Sequence, residues 1–453
     1  MAAFSGPRRC EKLSPRRTSV NGRARKSIGG RVRYCVMRDF DLMLRAYADL
    51  AVGVGLNLRE GQRLLVIGPL ANGGVSLEAA PLVRAIAASA YRSGARMVEA
   101  LWGDEAMALD RLRVAPRNSL DQYSRWLTDA LVQHVEAGDA VLSVYANDPD
   151  QFKDEDPQRI TAVQQATARA VQPFRERISR NATNWTIVAA AAPAWARKVF
   201  PGARDEAATA RLWDAIVRLC RLDRPDPVSA WRTHLEALNA RKERLNASRY
   251  TTLKYRGPGT DLTVGLPDNH VWVSGQSTSA RGIVFAPNLP TEEVFTMPHK
   301  DRVNGTVSSS KPLSYAGTLI EDFRFEFVDG RAVNVTAAKG EEMLRELVGT
   351  DPGASRLGEI ALVPHGSPIS QSGLLFYNTL FDENAASHVA LGAAYKFTMA
   401  DSEEMDNAAF EAAGGNRSTV HVDFMIGSNA LDIDGVRRDG RTEPLMRQGE
   451  WTS

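Results

Sequence analysis

The sequence predicts an α/β N-terminal domain with a mostly parallel sheet, followed by a β-rich α+β C-terminal domain. Three observations carry that expectation. The chain has 453 residues, well beyond the roughly 100–200 residues of one domain, so two cores are expected. From Met37 to about Ser248, short apolar runs alternate with helical periods, which is the signature of βαβ units. After about Tyr250 the runs become short, alternate in polarity and are parted by Pro-Gly or Pro-Asp turns, as antiparallel strands are. The expected organisation is a basic, disordered extension at 1–36, an α/β domain at 37–250 and an α+β domain at 251–453.

Composition excludes several classes. Hydrophobic residues make up 43% and charged residues 24%, the balance of a soluble globular protein. No run approaches the ~18 consecutive apolar residues of a membrane-spanning helix. Three Cys in the whole chain rule out a disulfide scaffold and favour a reducing compartment, so a cytoplasmic protein is expected. The net charge of +2 hides an asymmetry: residues 1–36 hold ten basic side chains against Glu11, which leaves the remainder acidic. That segment has no apolar core of the secretory kind. It fits a nucleic-acid-binding arm, an organelle transit peptide, or a translated stretch upstream of a start at Met37. The third is favoured, because Met37 immediately precedes an amphipathic segment at Phe40 to Leu50.

In the first half, Arg63 to Gly68 reads as a buried strand. Leu77 to Ser93 reads as a helix capped by Ser76, and Ala95 to Leu101 as the next strand. The alternation repeats with a strand at Ala140–Tyr145, a helix at Pro157–Ile178 and a strand at Thr186–Ala190. Helices near Glu206–Cys220 and Asp226–Leu245 follow, the latter as connector. The turn Gly68 to Gly74 lacks both the Walker lysine and the dinucleotide spacing, so no nucleotide site is expected there. In the second half, Thr251–Tyr255, Thr260–Val264 and Val271–Ser274 read as strands. Phe323 to Val333 forms a hairpin turning at Asp329-Gly330.

Chemistry concentrates in that second half, which holds five of the seven His. In the run Phe381 to Tyr395, Asn384 can cap a helix beginning at Ala385. His388 and Tyr395 would then share one face, two turns apart, with Glu383 just before the cap pointing toward the same pocket. On a strand, His421 and Asp423 project to one face and Val420, Val422 and Phe424 to the other. Imidazole plus carboxylate at that spacing is a compact ligand pair for a divalent cation. Glu293 sits in a strand-like stretch between two prolines, and Glu359 opens an apolar strand. An unpaired buried carboxylate is costly, so each needs a partner. Singly, each of these residues also reads as core or as a salt bridge.

Together, Thr291-Glu-Glu-Val-Phe-Thr296, Leu357-Gly-Glu359, Pro364–Ser367, Leu380 to Tyr395 and His421-Val-Asp423 resemble the thermophilic-type metalloaminopeptidase family, that of aminopeptidase T. The resemblance covers about residues 37–453 and keeps the order of the motifs. It implies a dimeric two-domain enzyme that removes N-terminal residues from peptides with a free N-terminus, using two divalent ions (zinc, cobalt or magnesium) and an activated water. Carried over by position, the metal ligands are Glu293, Glu359, His388, His421 and Asp423, with Glu383 as a sixth or, if it is not a ligand, as the leading candidate for the general base. Tyr395 matches an active-site tyrosine, either as a donor to the oxyanion or as a ligand. Glu293 rather than Glu292 matches, being the acid directly before Val-Phe-Thr. Four carboxylates balance two divalent cations, and without metal they would raise one another's pKa values. The same ligands would serve a dinuclear amidase or phosphoesterase, while a nucleic-acid-binding protein with a degenerate site is the more distant alternative. No membrane partner is expected. Ser308-Ser-Ser-Lys311 fits S-x-x-K but lacks the companion motifs of a serine acyl-enzyme.

Overall fold

Parallel strands need long crossovers, and the first half supplies them as helices. The structure, a computed structural model, describes residues 31–453 other than 316, 317, 403 and 453, with side chains from residue 40 onward. Four parallel strands lie in the order Met97–Ala100, Arg63–Ile67, Ala140–Tyr145, Trp185–Ala189. Helices Ala80–Arg92, Arg125–Glu136 and Pro157–Ser179 provide crossovers. Ile67 and Val141 pack with Leu131, Val135 and Phe174 from two of those helices. A helix runs from Arg31 to Leu50, so it begins before the expected Phe40. The disordered extension expected at 1–36 otherwise falls outside the described residues. Ser76 makes no side-chain cap; a short turn at Leu77–Ala79 intervenes and the helix opens at Ala80, with Pro81 in its first turn. Among the described residues no helix is long and apolar enough to cross a membrane.

Helix Pro227–Ser248 is capped by Asp226, whose side chain accepts from the Ser229 amide, and it buries Trp231, Leu235, Leu238 and Leu245. Two large antiparallel sheets follow it, besides a two-stranded ribbon of Ser277–Thr278 and Val284–Phe285. One has nine strands and includes Thr252–Gly257, Thr260–Gly265, Val303–Ser308 and the hairpin Thr318–Val328/Arg331–Lys339. The other has five, in the order His421–Met425, His388–Gly392, Leu357–Leu362, Val294–Thr296, Val273–Ser274. The sheets pack face to face through one hydrophobic core. Val294, Ile360, Leu362, Val389, Leu391 and Phe424 come from the smaller sheet, and Phe323, Phe325 and Phe327 from the larger. The Phe424 ring lies 5.1 Å from Phe325 and 5.4 Å from Phe323.

The segment leading to the smaller sheet is stitched to the parallel one. Ile187 donates to the Pro287 carbonyl at 2.7 Å and accepts from the Leu289 amide at 3.0 Å, while the Thr186 hydroxyl donates to the Ala286 carbonyl at 2.8 Å. Both parts lie within one compact unit, Met43–Ser453.

One expectation fails here. The helix from Ala385 does not form: Glu383–Ala385 is a single turn, and His388–Gly392 is a strand with every residue buried. The small, apolar run His388-Val-Ala-Leu-Gly392 suits either state by periodicity alone. It becomes a central strand because Leu357–Leu362 and His421–Met425 pair with it on both sides. Gly392 ends this strand at φ +102°, and a methyl group there would overlap the Val420 carbonyl oxygen. Gly392→Ala is therefore expected to destabilise the protein by about 1–3 kcal/mol through backbone strain alone, read as a lower urea midpoint at unchanged m-value.

Candidate metal centre

Side chains alternate across a strand, and residues directly opposite in an antiparallel pair share a face. Glu359 lies opposite Ala390, and Ala390 opposite Asp423. His388 pairs with Ala361 and Met425, Gly392 with His421, and Ala361 with Phe295, two residues from Glu293. Register alone therefore puts Glu293, Glu359, His388, His421 and Asp423 on one face, with the hydrophobic core on the other. Ala390 stands between Glu359 and Asp423, and its single methyl leaves a hollow that a larger side chain would fill.

The donor atoms converge in two groups. Glu293, Glu359 and His388 form one, and Glu359, His421 and Asp423 the other, the ligand atoms of each group lying within 4.8 Å of one another. His388 Nε2 is 3.4 Å from Glu293 Oε2 and 3.5 Å from Glu359 Oε1. His421 Nε2 is 3.5 Å from both Glu359 Oε2 and Asp423 Oδ1. Atoms ~2.0–2.2 Å from one tetrahedral ion stand about 3.3–3.6 Å apart. Glu359 offers one oxygen to each group, as a bridging carboxylate does.

Both imidazoles are oriented by backbone. His388 Nδ1 faces the Ala386 carbonyl at 3.2 Å, and His421 Nδ1 faces the Ala393 carbonyl at 2.7 Å. A carbonyl oxygen only accepts, so each Nδ1 carries the proton and each Nε2 is aimed inward. Glu293 Oε2 and Asp423 Oδ1 are buried without a hydrogen-bond partner among the described residues. Such orphaned carboxylate oxygens are expensive unless a cation takes them. The donor set therefore fits a pair of divalent ions.

Charge makes the same point. Burial, with Glu359 and Asp423 close by, pushes the Glu293 carboxyl up to about 8. Burial also raises Glu383, and Glu293 and Asp423 raise it further. Burial would lower His388, but Glu359, Glu293 and Asp423 outweigh it and push the imidazole up to about 10. His421 rises to about 9 against its burial, held by Asp423 and Glu359. Burial would raise Asp423, yet the two imidazoles hold it below the usual carboxylate range. Without cations, protons balance the charge of this cluster.

Glu383 stands outside both groups. It comes from the turn Glu383–Ala385 facing the sheet, and its Oε1 meets the Asn288 and Asn384 amides at 3.4 Å each. Asn384 caps no helix; its Oδ1 accepts from the Glu292 amide at 2.7 Å and its Nδ2 donates to the Leu380 carbonyl at 3.2 Å. Tyr395 follows the His388 strand instead of sharing a helix face with it. Its ring stacks on Phe397 with centroids 5.2 Å apart and leans on His421 at 4.7 Å. Partial burial and the four carboxylates raise the Tyr395 hydroxyl above its ordinary value, so it stays protonated as a donor.

Glu292 and Glu293 project oppositely. Glu292 is 3% exposed and pairs with Arg221 at 2.8 Å and His234 at 3.4 Å. No local periodicity links His234, on helix Pro227–Ser248, to residue 292, so the pair is not legible in the sequence. A cleft of about 280 Å3 opens over Glu383, His421 and Asp423, and Lys311 lines it too. A larger hollow of about 920 Å3, bounded by Arg249, His270 and Arg437, lies apart and holds none of these donors.

Over most of its length the chain is similar to known proteins. Aminopeptidase 2 of Geobacillus stearothermophilus is 47% identical over 415 residues, 92% of this chain and 99% of that protein. Aminopeptidase T of Thermus thermophilus is 46% identical over 415 residues, 92% of this chain and 100% of that protein. The solved structure of wild-type AmpT from Thermus thermophilus superposes with a TM-score of 0.85 at 45% identity, over 91% of this chain and 100% of that one. The family model for the thermophilic metalloproteases (M29) matches residues 40–451, and with the likeness running nearly end to end, the chain belongs to that family.

Proposed function

We propose that this protein is a metal-dependent aminopeptidase, hydrolysing the N-terminal residue of peptides with two divalent cations held by Glu293, Glu359, His388, His421 and Asp423. The observation that carries the reading is Glu359, with one carboxylate oxygen in each of two converging donor groups. The relatives' names, aminopeptidase 2 and aminopeptidase T, support the bond class. Two divalent ions held by these residues would supply Lewis-acid polarisation of the scissile carbonyl and a pKa lowered toward ~7 for an attacking water. Zinc, cobalt and magnesium are all compatible with this mixed oxygen and nitrogen set.

The remaining chemistry falls to the chain. Glu383, beside the donor groups rather than in them, takes the proton of the attacking water at a carboxylate oxygen and delivers it to the leaving amine. The Tyr395 hydroxyl donates to the oxyanion as it develops, its ring held by Phe397 and His421. The proposal extends to a homodimer in the cytoplasm, with a domain division near residue 250. The end of helix Pro227–Ser248, where parallel sheet gives way to antiparallel strands, supports that division.

Three experiments test this. Metal-loaded enzyme should hydrolyse Leu-Gly-Gly and leave its N-acetyl derivative intact by chromatographic assay; equal hydrolysis of both would point to another amide hydrolase. Tyr395→Phe should lower kcat by ~10²–10³ with little change in KM or bound metal; loss of metal instead would make Tyr395 a ligand. The third follows from protonation. His388, His421 and Glu293, raised to about 10, 9 and 8, hold protons at pH 7 in the cation-free site. Metal entry must release them, so apparent metal affinity should rise as pH climbs from 6 toward 9. Calorimetry in buffers of differing ionisation enthalpy should count more than one proton released per chain at pH 7.

A further inference from the structure

Lys311 closes the Ser308-Ser-Ser-Lys311 run, in which the Ser308 and Ser309 hydroxyls and the Ser310 amide are engaged. The Ser308 hydroxyl donates to the Gly259 carbonyl at 3.0 Å, and the Ser309 hydroxyl accepts from the Phe323 amide at 3.1 Å. The Ser309 amide donates to the Phe323 carbonyl and the Ser310 amide to the Met425 carbonyl, each at 2.8 Å. These bonds seat Lys311 beside the strand that carries His421 and Asp423. Lys311 lines the same cleft as Glu383, His421 and Asp423, and among the described residues no other Lys or Arg does.

Its ammonium is half-buried, and no hydrogen bond or ion pair engages it among the described residues. Asp382 is the acid it senses, but the Asp382 oxygens already accept from the Phe376 amide at 2.7 Å and the Asn378 amide at 3.0 Å. A partly desolvated ammonium without a partner is unfavourable until an anion reaches it. Two divalent cations would neutralise the four carboxylates of the centre, leaving Lys311 as the unspent positive charge of the cleft.

Dimensions narrow the anion. Met425, which anchors Ser310, is two residues along the strand from Asp423, roughly 7 Å at 3.2–3.4 Å per residue. Two residues of extended substrate beyond the scissile bond span about the same reach at 3.3–3.6 Å each, and one residue spans half of it, a difference the flexible Lys311 side chain can cover. At about 280 Å3 the cleft sits at the small end of ligand pockets, which run ~300–1,000 Å3. We propose that Lys311 is a specificity-determining residue that takes the C-terminal carboxylate of di- and tripeptide substrates. This rests on the aminopeptidase reading above, and it makes the enzyme one that finishes short peptides.

The test compares Leu-Gly-Gly with its C-terminal amide on metal-loaded wild type, Lys311→Met, Lys311→Gln and Lys311→Arg. Wild type should prefer the free acid by about tenfold in kcat/KM, the scale of one charged hydrogen bond, mostly through KM. Both neutral variants should lose that preference with bound metal unchanged, and Lys311→Arg should keep it. Equal cleavage of acid and amide by wild type would overturn the proposal, as would a preference surviving in the neutral variants. A neutral variant that instead loses a preference for Leu-Glu-amide over Leu-Gln-amide would assign Lys311 to an acidic side chain, which also overturns it. Hydrolysis of N-acetyl-Leu-Gly-Gly would strike the aminopeptidase reading, independently of Lys311.

Discussion

The five-stranded sheet must bury both of its faces, and they have opposite chemistry. One face is apolar and closes the core against the nine-stranded sheet through Phe424 and the Phe323–Phe327 row. The other carries three carboxylates and two imidazoles within a few ångströms. Because side chains alternate, the core that fixes the register also fixes the donors: slipping one strand by a residue would send its acids into the hydrophobic layer. Stability and site geometry are thus set by one constraint. The bulge between Leu357 and Glu359 adjusts it locally, keeping Leu357 in the core while Glu359 turns to the centre.

Concentrating acids on a buried face is tolerable only if their charge is met. Part of the answer lies in the imidazoles, raised well above their ordinary range by the acids beside them. The buried oxygens of Glu293 and Asp423 that lack a hydrogen-bond partner among the described residues leave ligand positions open at the centre. Behind the sheet, Glu292 is met differently, by Arg221 and His234 from another part of the chain. Adjacent glutamates therefore have unlike fates, one with a fixed cationic partner and the other with an open ligand position.

Around this centre, the parallel-sheet region contributes by holding the approach segment. Hydrogen bonds from Thr186 and Ile187 to residues 286–289 fix the chain just before Glu293, and Asn288 from that segment reaches Glu383. On the other flank, Phe295, Phe397, Tyr395 and His421 form a continuous aromatic wall. In the proposed reaction that wall places the Tyr395 donor against the substrate carbonyl, and Lys311 limits how far the substrate extends.

The alternation of strand and helix up to Ser248, the antiparallel hairpin turning at Asp329-Gly330 and the i, i+2 projection of His421 and Asp423 were legible in the sequence. Each follows from local periodicity or turn chemistry, which act over a few residues. The motif resemblance also assembled Glu293, Glu359, His388, His421 and Asp423 into one candidate set. Tertiary structure decided the rest. His388-Val-Ala-Leu-Gly392 has no periodicity that separates strand from helix, and only pairing on both edges made it a strand. With that, Asn384 ceased to be a cap, Tyr395 left the face of His388, and Ala390 became the gap between two acids. The Arg221–Glu292 pair and the seat of Lys311 join residues 71 and more than 100 positions apart. No local pattern encodes such contacts, because they exist only once the sheets have packed.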